Sequence, residues 1–356
     1  MKDSILRAGD LVLVTGGSGY VGSHLVPMLL EKGYRVRVLD AHLYGGSGLA
    51  ARASDPRLEI MHGDICNIRD MIHAADGAKA IIALAALVGD GACELDRAET
   101  IAINIESTKL LCSVVELHPA VERVVFASSC SVYGATEELV LNEGSRLNPV
   151  SFYARSRILS ESILNRELRG RSVTVLRLGT VFGASPRMRL DLMVNTMTHT
   201  AVTTGKITVM GGEAWRPHVH SRDVAGAFRL AAEAPHERVA GETFNVGSDQ
   251  NNFTISETAV MVASQIPGTQ IEYVDTIEDP RSYRVSFDKI RHVLGFVTRY
   301  RIEDGVREVR SLLESGEVNG CDARYWNLAY LKTSGFCGVR PDFAEEASPE
   351  RASVAS

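Results

Sequence analysis

A Rossmann-type doubly wound parallel α/β sheet, with a smaller mixed α/β substrate lobe, is the fold class that three features of this 356-residue sequence predict. Strand-like and helix-like runs alternate through the first half, as they do where crossover helices cover both faces of a parallel sheet. A glycine-rich turn separates the first strand from the first helix, and after Leu178 the alternation gives way to shorter pieces with Gly- and Pro-containing turns.

Taken in order, the predicted strands are 11–15, 35–39, 58–62, 80–84, 123–127 and 174–178. Their spacing leaves room for the crossover connections that parallel strands need. The helices 19–32, 99–118 and 152–168 carry apolar residues near the 3.6 period. Pro27 removes one backbone donor inside the first, which predicts a kink or a repacked turn rather than loss of the helix. Residues 1–180 make the main domain, to which 217–250 return, and 181–216 with 251–330 form the lobe. The last stretch, 341–356, is rich in Ala, Ser, Glu and Pro and reads as a disordered tail.

Composition narrows the function. A net charge of −6 and a pI near 6.0 lack the basic face that nucleic acid or an anionic membrane requires, so the expectation is no nucleic-acid partner and no membrane. No apolar run reaches about 18 residues, and the start lacks a signal-peptide pattern, which predicts a cytoplasmic protein. The six cysteines are scattered without metal spacing, and His218 and His220 have no evident third ligand, so no metal is expected.

The segment Val14-Thr15-Gly16-Gly17-Ser18-Gly19-Tyr20-Val21-Gly22 places GxxGxxG between the first strand and helix. Glycines there permit a tight turn and close backbone approach, and the helix N-terminus offers N–H groups to a pyrophosphate. Asp40 ends the second strand, where a carboxylate accepts hydrogen bonds from ribose hydroxyls and repels a 2′-phosphate. The predicted cofactor is therefore NAD rather than NADP.

Together with Ser128-Ser129-Cys130-Ser131-Val132-Tyr133-Gly134 and Tyr153-Ala154-Arg155-Ser156-Arg157, this pattern resembles the extended short-chain dehydrogenases, in particular the NAD-dependent nucleotide-sugar epimerases and dehydratases of the UDP-glucose 4-epimerase type. The resemblance covers about residues 11–313 and implies an enzyme acting on a nucleoside-diphosphate sugar. It also implies that Gly16, Gly19, Tyr20, Val21 and Gly22 hold the cofactor with Asp40, that Asp64 and Ile65 border adenine, and that Leu84, Ala85 and Ala86 pass it with their backbone. Asn104 would support the active-site helix and count among the cofactor residues, as would Tyr153 and Arg157. A four-helix homodimer built on helices 99–118 and 152–168 is implied as well.

By the same resemblance Tyr153 is the acid-base and Ser129 holds the reacting sugar oxygen. A phenol of pKa about 10 must fall roughly three units to be half ionised at neutral pH, and a cation one helical turn away contributes to that fall. The family has Lys there; this chain has Arg157, which keeps the charge but is longer and planar. Strand alternation would turn Ser129 and Ser131 toward substrate and Cys130 away, making Cys130 structural. Dehydratases of the family carry an acid between the catalytic Ser or Thr and the Tyr of VYG, but Cys130 and Ser131 stand there instead. That leaves 4-epimerisation by transient oxidation at C4 as the leading reading, a net 4-reduction or dehydrogenation as the alternative, and a non-catalytic NAD-binding scaffold as a third. Thr180, Arg216 and Arg281 are the further substrate contacts the resemblance implies, the two arginines for phosphate.

Overall fold

A computed structural model describes residues 5–135, 138–274 and 282–336. Among these the strands in chain order are β1 (Leu11–Thr15), β2 (Arg35–Asp40), β3 (Leu58–His62), β4 (Ala78–Ala83), β5 (Arg123–Ser129), β6 (Ser172–Leu178), β7 (Thr180–Phe182), β8 (Lys206–Met210), β9 (Trp215–His220), β10 (Glu242–Val246), β11 (Asn252–Thr254) and β12 (Gln270–Val274). Seven form one sheet in the order β10-β6-β5-β4-β1-β2-β3, with every pairing parallel. All six predicted strands belong to it. The interior strand β1 is buried along its whole length because its two faces meet different cores. Val12 and Val14 join Leu25 and Leu29 of the helix Gly22–Glu31, whereas Leu11 and Leu13 join Met71 and Leu111 on the opposite face. The predicted first helix keeps its course through Pro27 but starts at Gly22, since residues 19–21 are still in the glycine turn.

The predicted helix 99–118 is a helical run that begins at Arg97 and changes pitch within: an α-turn, Arg97–Thr100, a π-helical stretch, Ile101–Glu106, then the α-helix Ser107–Leu117. A π-helix turns a side chain out of α register, and such stretches often occur at functional sites. Here the residue re-aimed is Asn104, which is 1% exposed.

The return to the main sheet begins later than the predicted 217. Residues 217–220 lie in β9, which pairs with β7 and β11 in the three-stranded sheet of the lobe. Only from the helix Ser221–Glu233 does the chain rejoin the main domain, where β10 completes the sheet. Arg123 locks this return: it is fully buried, and its Nη1 donates to the carbonyls of Ala231, Ala232 and Ala234 at the helix C-terminus. Beyond the helix Ile302–Glu314, the short helix Asn327–Ser334 comes back onto the main domain, where Leu331 packs with Leu87, Ala92 and Cys93. Among the described residues no helix is long and apolar enough to cross a membrane. The predicted tail 341–356 lies outside the described residues.

Candidate active site

A cavity of about 410 Å³ opens at the C-terminal ends of the sheet strands, between β1 and β4, where the strand order reverses. That is where open α/β sheets bind dinucleotides. Gly16, Gly19, Tyr20, Val21 and Gly22 line one end. Gly16 has φ +72°, and a Cβ on it would meet the Ala85 amide nitrogen at 2.7 Å; a Cβ on Gly22 would meet the carbonyls of Gly16 and Gly17 at 2.5 Å. Side chains would therefore break the turn, and the backbone is bared for a ligand. The Asp40 carboxylate accepts the amides of Ser18 and His42, each at 2.9 Å, which fixes it at the cavity edge with lone pairs left for ribose hydroxyls. Asp64, Ile65, Leu84, Ala85 and Ala86 line the same cavity.

Two expected cofactor residues act differently from a direct side-chain ligand. The Tyr20 hydroxyl donates to the Gly183 carbonyl and accepts from Asn195, pinning the glycine turn to the lobe, and burial pushes its pKa up. Asn104 is not part of the cavity wall. Its amide accepts the Leu87 N–H at 2.9 Å, donates to the Leu87 carbonyl at 3.0 Å and reaches Ser156 at 3.2 Å, tying the loop after β4 to the helix Phe152–Glu167.

That helix is started by Ser151, whose hydroxyl accepts the Ala154 amide, and it brings Tyr153 and Arg157 one turn apart into the other end of the cavity. Ser129, the last residue of β5, lines the cavity beside them. Arg157 is 2% exposed. Its Nη1 donates to the Ala127 carbonyl at 3.4 Å, its Nε and Nη2 are buried without a partner, and it lies between the rings of Phe126 and Tyr153. Burial pushes the Tyr153 phenol up, and the Arg157 charge and the Ser129 hydroxyl pull it back only in part. The fall of the phenol pKa that the sequence predicts is therefore not seen; burial outweighs the Arg157 charge.

The alternation expected across Ser129 to Ser131 fails. β5 ends at Ser129, whose hydroxyl accepts the Ser131 amide at 3.1 Å and closes a 3₁₀ turn, Cys130–Tyr133. Ser131 consequently leaves the cavity wall, and its hydroxyl is buried without a partner. Cys130 is 1% exposed with its thiol on the Arg177 carbonyl, and burial pushes its pKa up, so it is held as an inert packing residue. Tyr133 of VYG is structural too: its hydroxyl donates to Asn245 and accepts from Arg177, which pairs with the buried Glu161.

Thr180 lines the cavity. Arg216 does not; it is 5% exposed on β9, with Nη1 on the Trp215 carbonyl and its guanidinium over the Tyr283 ring. Arg281 lies outside the described residues. His218 and His220 are both fully buried, the first bonded to Thr258 and the second to Glu308. The cavity also takes in residues that no sequence motif marked: His42, Tyr44, Glu99, Arg187, Arg189 and Asn327. Arg187 and Arg189 stand two apart in Ser185-Pro186-Arg187-Met188-Arg189, a spacing that was the one available signal for a cationic wall.

Residues 12–247 match the model of the NAD dependent epimerase/dehydratase family. A UDP-glucose 4-epimerase of Halalkalibacterium halodurans is 28% identical over 315 residues, covering 81% of this chain and 91% of that protein. A dTDP-glucose 4,6-dehydratase of Actinoplanes sp. is also 28% identical, over 312 residues, 83% of this chain and 95% of its own length. Among solved structures, the dTDP-glucose 4,6-dehydratase of Streptomyces venezuelae with NAD and TYD bound superposes with a TM-score of 0.77 at 26% identity, over 90% of this chain and 99% of that one.

Proposed function

Because this chain belongs to the NAD-dependent epimerase/dehydratase family, we propose that it is a nucleotide-sugar 4-epimerase, acting on a UDP-hexose or a related nucleoside-diphosphate sugar with NAD as its cofactor. One observation carries the choice within the family. The cavity joins the dinucleotide cradle to Tyr153, Ser129 and Arg157, while the turn between Ser129 and Tyr133 contributes only Cys130, Ser131 and Val132. A dehydration needs a group to move a proton at C5, and that turn holds no carboxylate to do so. NAD, when bound, supplies the acceptor and later the donor of hydride.

The chain's own residues do the rest. As its phenolate, Tyr153 takes the proton of the sugar 4-hydroxyl while hydride leaves C4 and returns that proton on re-reduction, and Ser129 hydrogen-bonds the same oxygen to hold it in place. Arg157 turns two N–H-bearing nitrogens, Nε and Nη2, that no protein group satisfies into the interior, where ribose hydroxyls of a bound dinucleotide would accept them. Asp40 would take the adenosine ribose and disfavour a 2′-phosphate. Thr180 supports the sugar from the lobe side, and Arg216 and Arg281 are kept as phosphate contacts on the family resemblance alone.

The reading includes a homodimer, supported by Ile101 at 41% and Leu159 at 50% exposure on the helical runs that would form its interface. It also includes a reducing, cytoplasmic setting, in keeping with free thiols at Cys66, Cys93, Cys112, Cys130 and Cys321. The test is proton NMR of purified protein with a panel of nucleotide sugars and no added cofactor. Interconversion of two C4 epimers is the expected result; a 4-keto-6-deoxy product, or turnover that stops without added NAD or NADH, would replace the epimerase with a dehydratase or a net oxidoreductase.

A further inference from the structure

Arg187 is a buried cation with no counterion among the described residues. It is 7% exposed on the cavity wall, and its partners are neutral: Nη2 donates to Asn327 Oδ1 at 2.7 Å, Nη1 reaches the Met188 carbonyl at 3.4 Å, and the guanidinium lies 4.3 Å over the Tyr44 ring. Among the described residues no carboxylate pairs with it, since the neighbouring Asp191 is held by both arms of Arg189 at 3.0 and 2.8 Å. Burial, with the Arg189 charge acting in the same direction, pushes its pKa down to about 10. A desolvated charge without an opposite charge is costly, and an anionic ligand removes that cost.

Its position says which end of the cavity such a ligand occupies. A Cβ on Gly48 would meet the Ser18 carbonyl at 2.3 Å and the Arg187 Cβ at 3.3 Å, so Arg187 backs onto the glycine turn. The residue that aims it, Asn327, lies in the C-terminal stretch beyond the matched residues 12–247. That stretch also grips the loop after β2. The Tyr330 ring lies 5.6 Å from that of Tyr44, Arg324 approaches Gly45, and Phe336 joins the cavity wall.

We propose that Arg187 is a diphosphate ligand, and that the C-terminal stretch from Asp322 to Phe336, by holding Arg187 through Asn327 and Tyr44 through Tyr330, clamps the diphosphate of the dinucleotide so that the cofactor stays bound from one turnover to the next. The inference rests on the family's cofactor and not on the 4-epimerase reading, so either can fail alone. A sugar nucleotide carries the same diphosphate group, and the ligands of the test separate the two sources.

Calorimetry of the full-length protein, stripped of nucleotide, measures NAD and UDP affinity in wild type, Arg187→Met, Arg187→Lys and Asn327→Asp. The last variant supplies Arg187 with a protein carboxylate and so competes with the ligand while relieving the buried charge. NAD affinity should fall roughly tenfold or more in Arg187→Met and Asn327→Asp, recover partly in Arg187→Lys, and leave UDP affinity unchanged. The Asn327→Asp protein should melt no lower than wild type and be purified with less NAD, measured as nucleotide released on denaturation. Loss of UDP affinity with NAD untouched would move Arg187 to the sugar nucleotide and overturn the clamp. Equal loss of both ligands, or of neither, would overturn it too, as would an Asn327→Asp protein that melts lower while binding NAD as wild type.

Discussion

The guanidinium carbon of Arg157 sits 5.7 Å from the centre of the Tyr153 ring, so its charge faces the π-cloud of the residue proposed as acid-base. Its two unsatisfied nitrogens are the groups free to change partner when the cavity fills. Removing that charge as Arg157→Met should raise the kinetic pKa assigned to Tyr153 and cut turnover about a hundredfold or more at pH 7. Arg157→Lys should also lower turnover, because an ammonium cannot bridge two acceptors as a planar fork does. A pH–rate series on the three proteins decides: an unchanged rate and pKa in Arg157→Met would show that Arg157 has no part in catalysis.

Tyr153→Phe keeps the ring against Arg157 and removes only the proton carrier. Turnover should vanish while NAD affinity, measured by calorimetry, stays within about threefold of wild type, since the lost hydroxyl is a single hydrogen bond. A variant that retains wild-type turnover would remove the mechanism.

Asp40 is held by two backbone amides and cannot swing away from an incoming 2′-phosphate. NAD should therefore bind far more tightly than NADP, and Asp40→Asn should narrow the gap mainly by improving NADP. Equal affinities in the wild type would sink this assignment of selectivity.

The dimer reading predicts twice the monomer mass in light scattering at micromolar concentration. Leu159→Asp, which places a charge on a half-exposed residue and disturbs no buried contact of the monomer, should halve that mass and leave the melting curve of the monomer cooperative. A wild-type protein that scatters as a monomer ends the proposal.

Acid should destabilise the fold through its neutral buried histidines. Burial pushes His218 from 6.5 down to about 3 and His24 down to about 4, so the unfolded chain takes up these protons first. Their contribution is complete above about pH 6.5, the unfolded pKa, and is lost as pH falls toward about 4 for His24 and about 3 for His218. His218→Asn should lower stability at pH 7 yet flatten its decline between about pH 6 and pH 4 by up to about 1.4 kcal/mol per pH unit. Parallel denaturation curves for both proteins across that range would contradict the assignment.

The main sheet was legible because its strands alternate with helix-period runs, as crossover helices on a parallel sheet require, and the dinucleotide turn because its glycines have no substitute. What sequence pattern missed has a common physical origin. Ser129 closes a turn with its own side chain, which an alternation rule cannot anticipate, and so Ser131 moved off the expected face. Asn104 was singled out only by the family resemblance, as support for the active-site helix; what the sequence did not show is the π-helical stretch in which it lies, off the cavity wall. Arg187 and Asn327 meet across 140 positions of sequence, and neither carries a motif by itself. The end of the lobe was placed early because the residues of β9 do not show which sheet the strand joins; it pairs with β7 and β11, and only the helix that follows returns to the main domain.

The pairing of β10 with β6 also sets the order in which the chain can complete itself. β6 is made early, yet the strand that covers its outer edge emerges from the ribosome only after β7, β8 and β9 and the helix Ser221–Glu233 have been synthesised. Until then the nascent sheet presents bare backbone donors and acceptors along β6, and the Arg123 guanidinium waits without the three helix carbonyls that receive it. A polypeptide released in that interval would carry an open sheet edge and an unpaired Arg123 charge, the features that favour association between chains over completion of the fold.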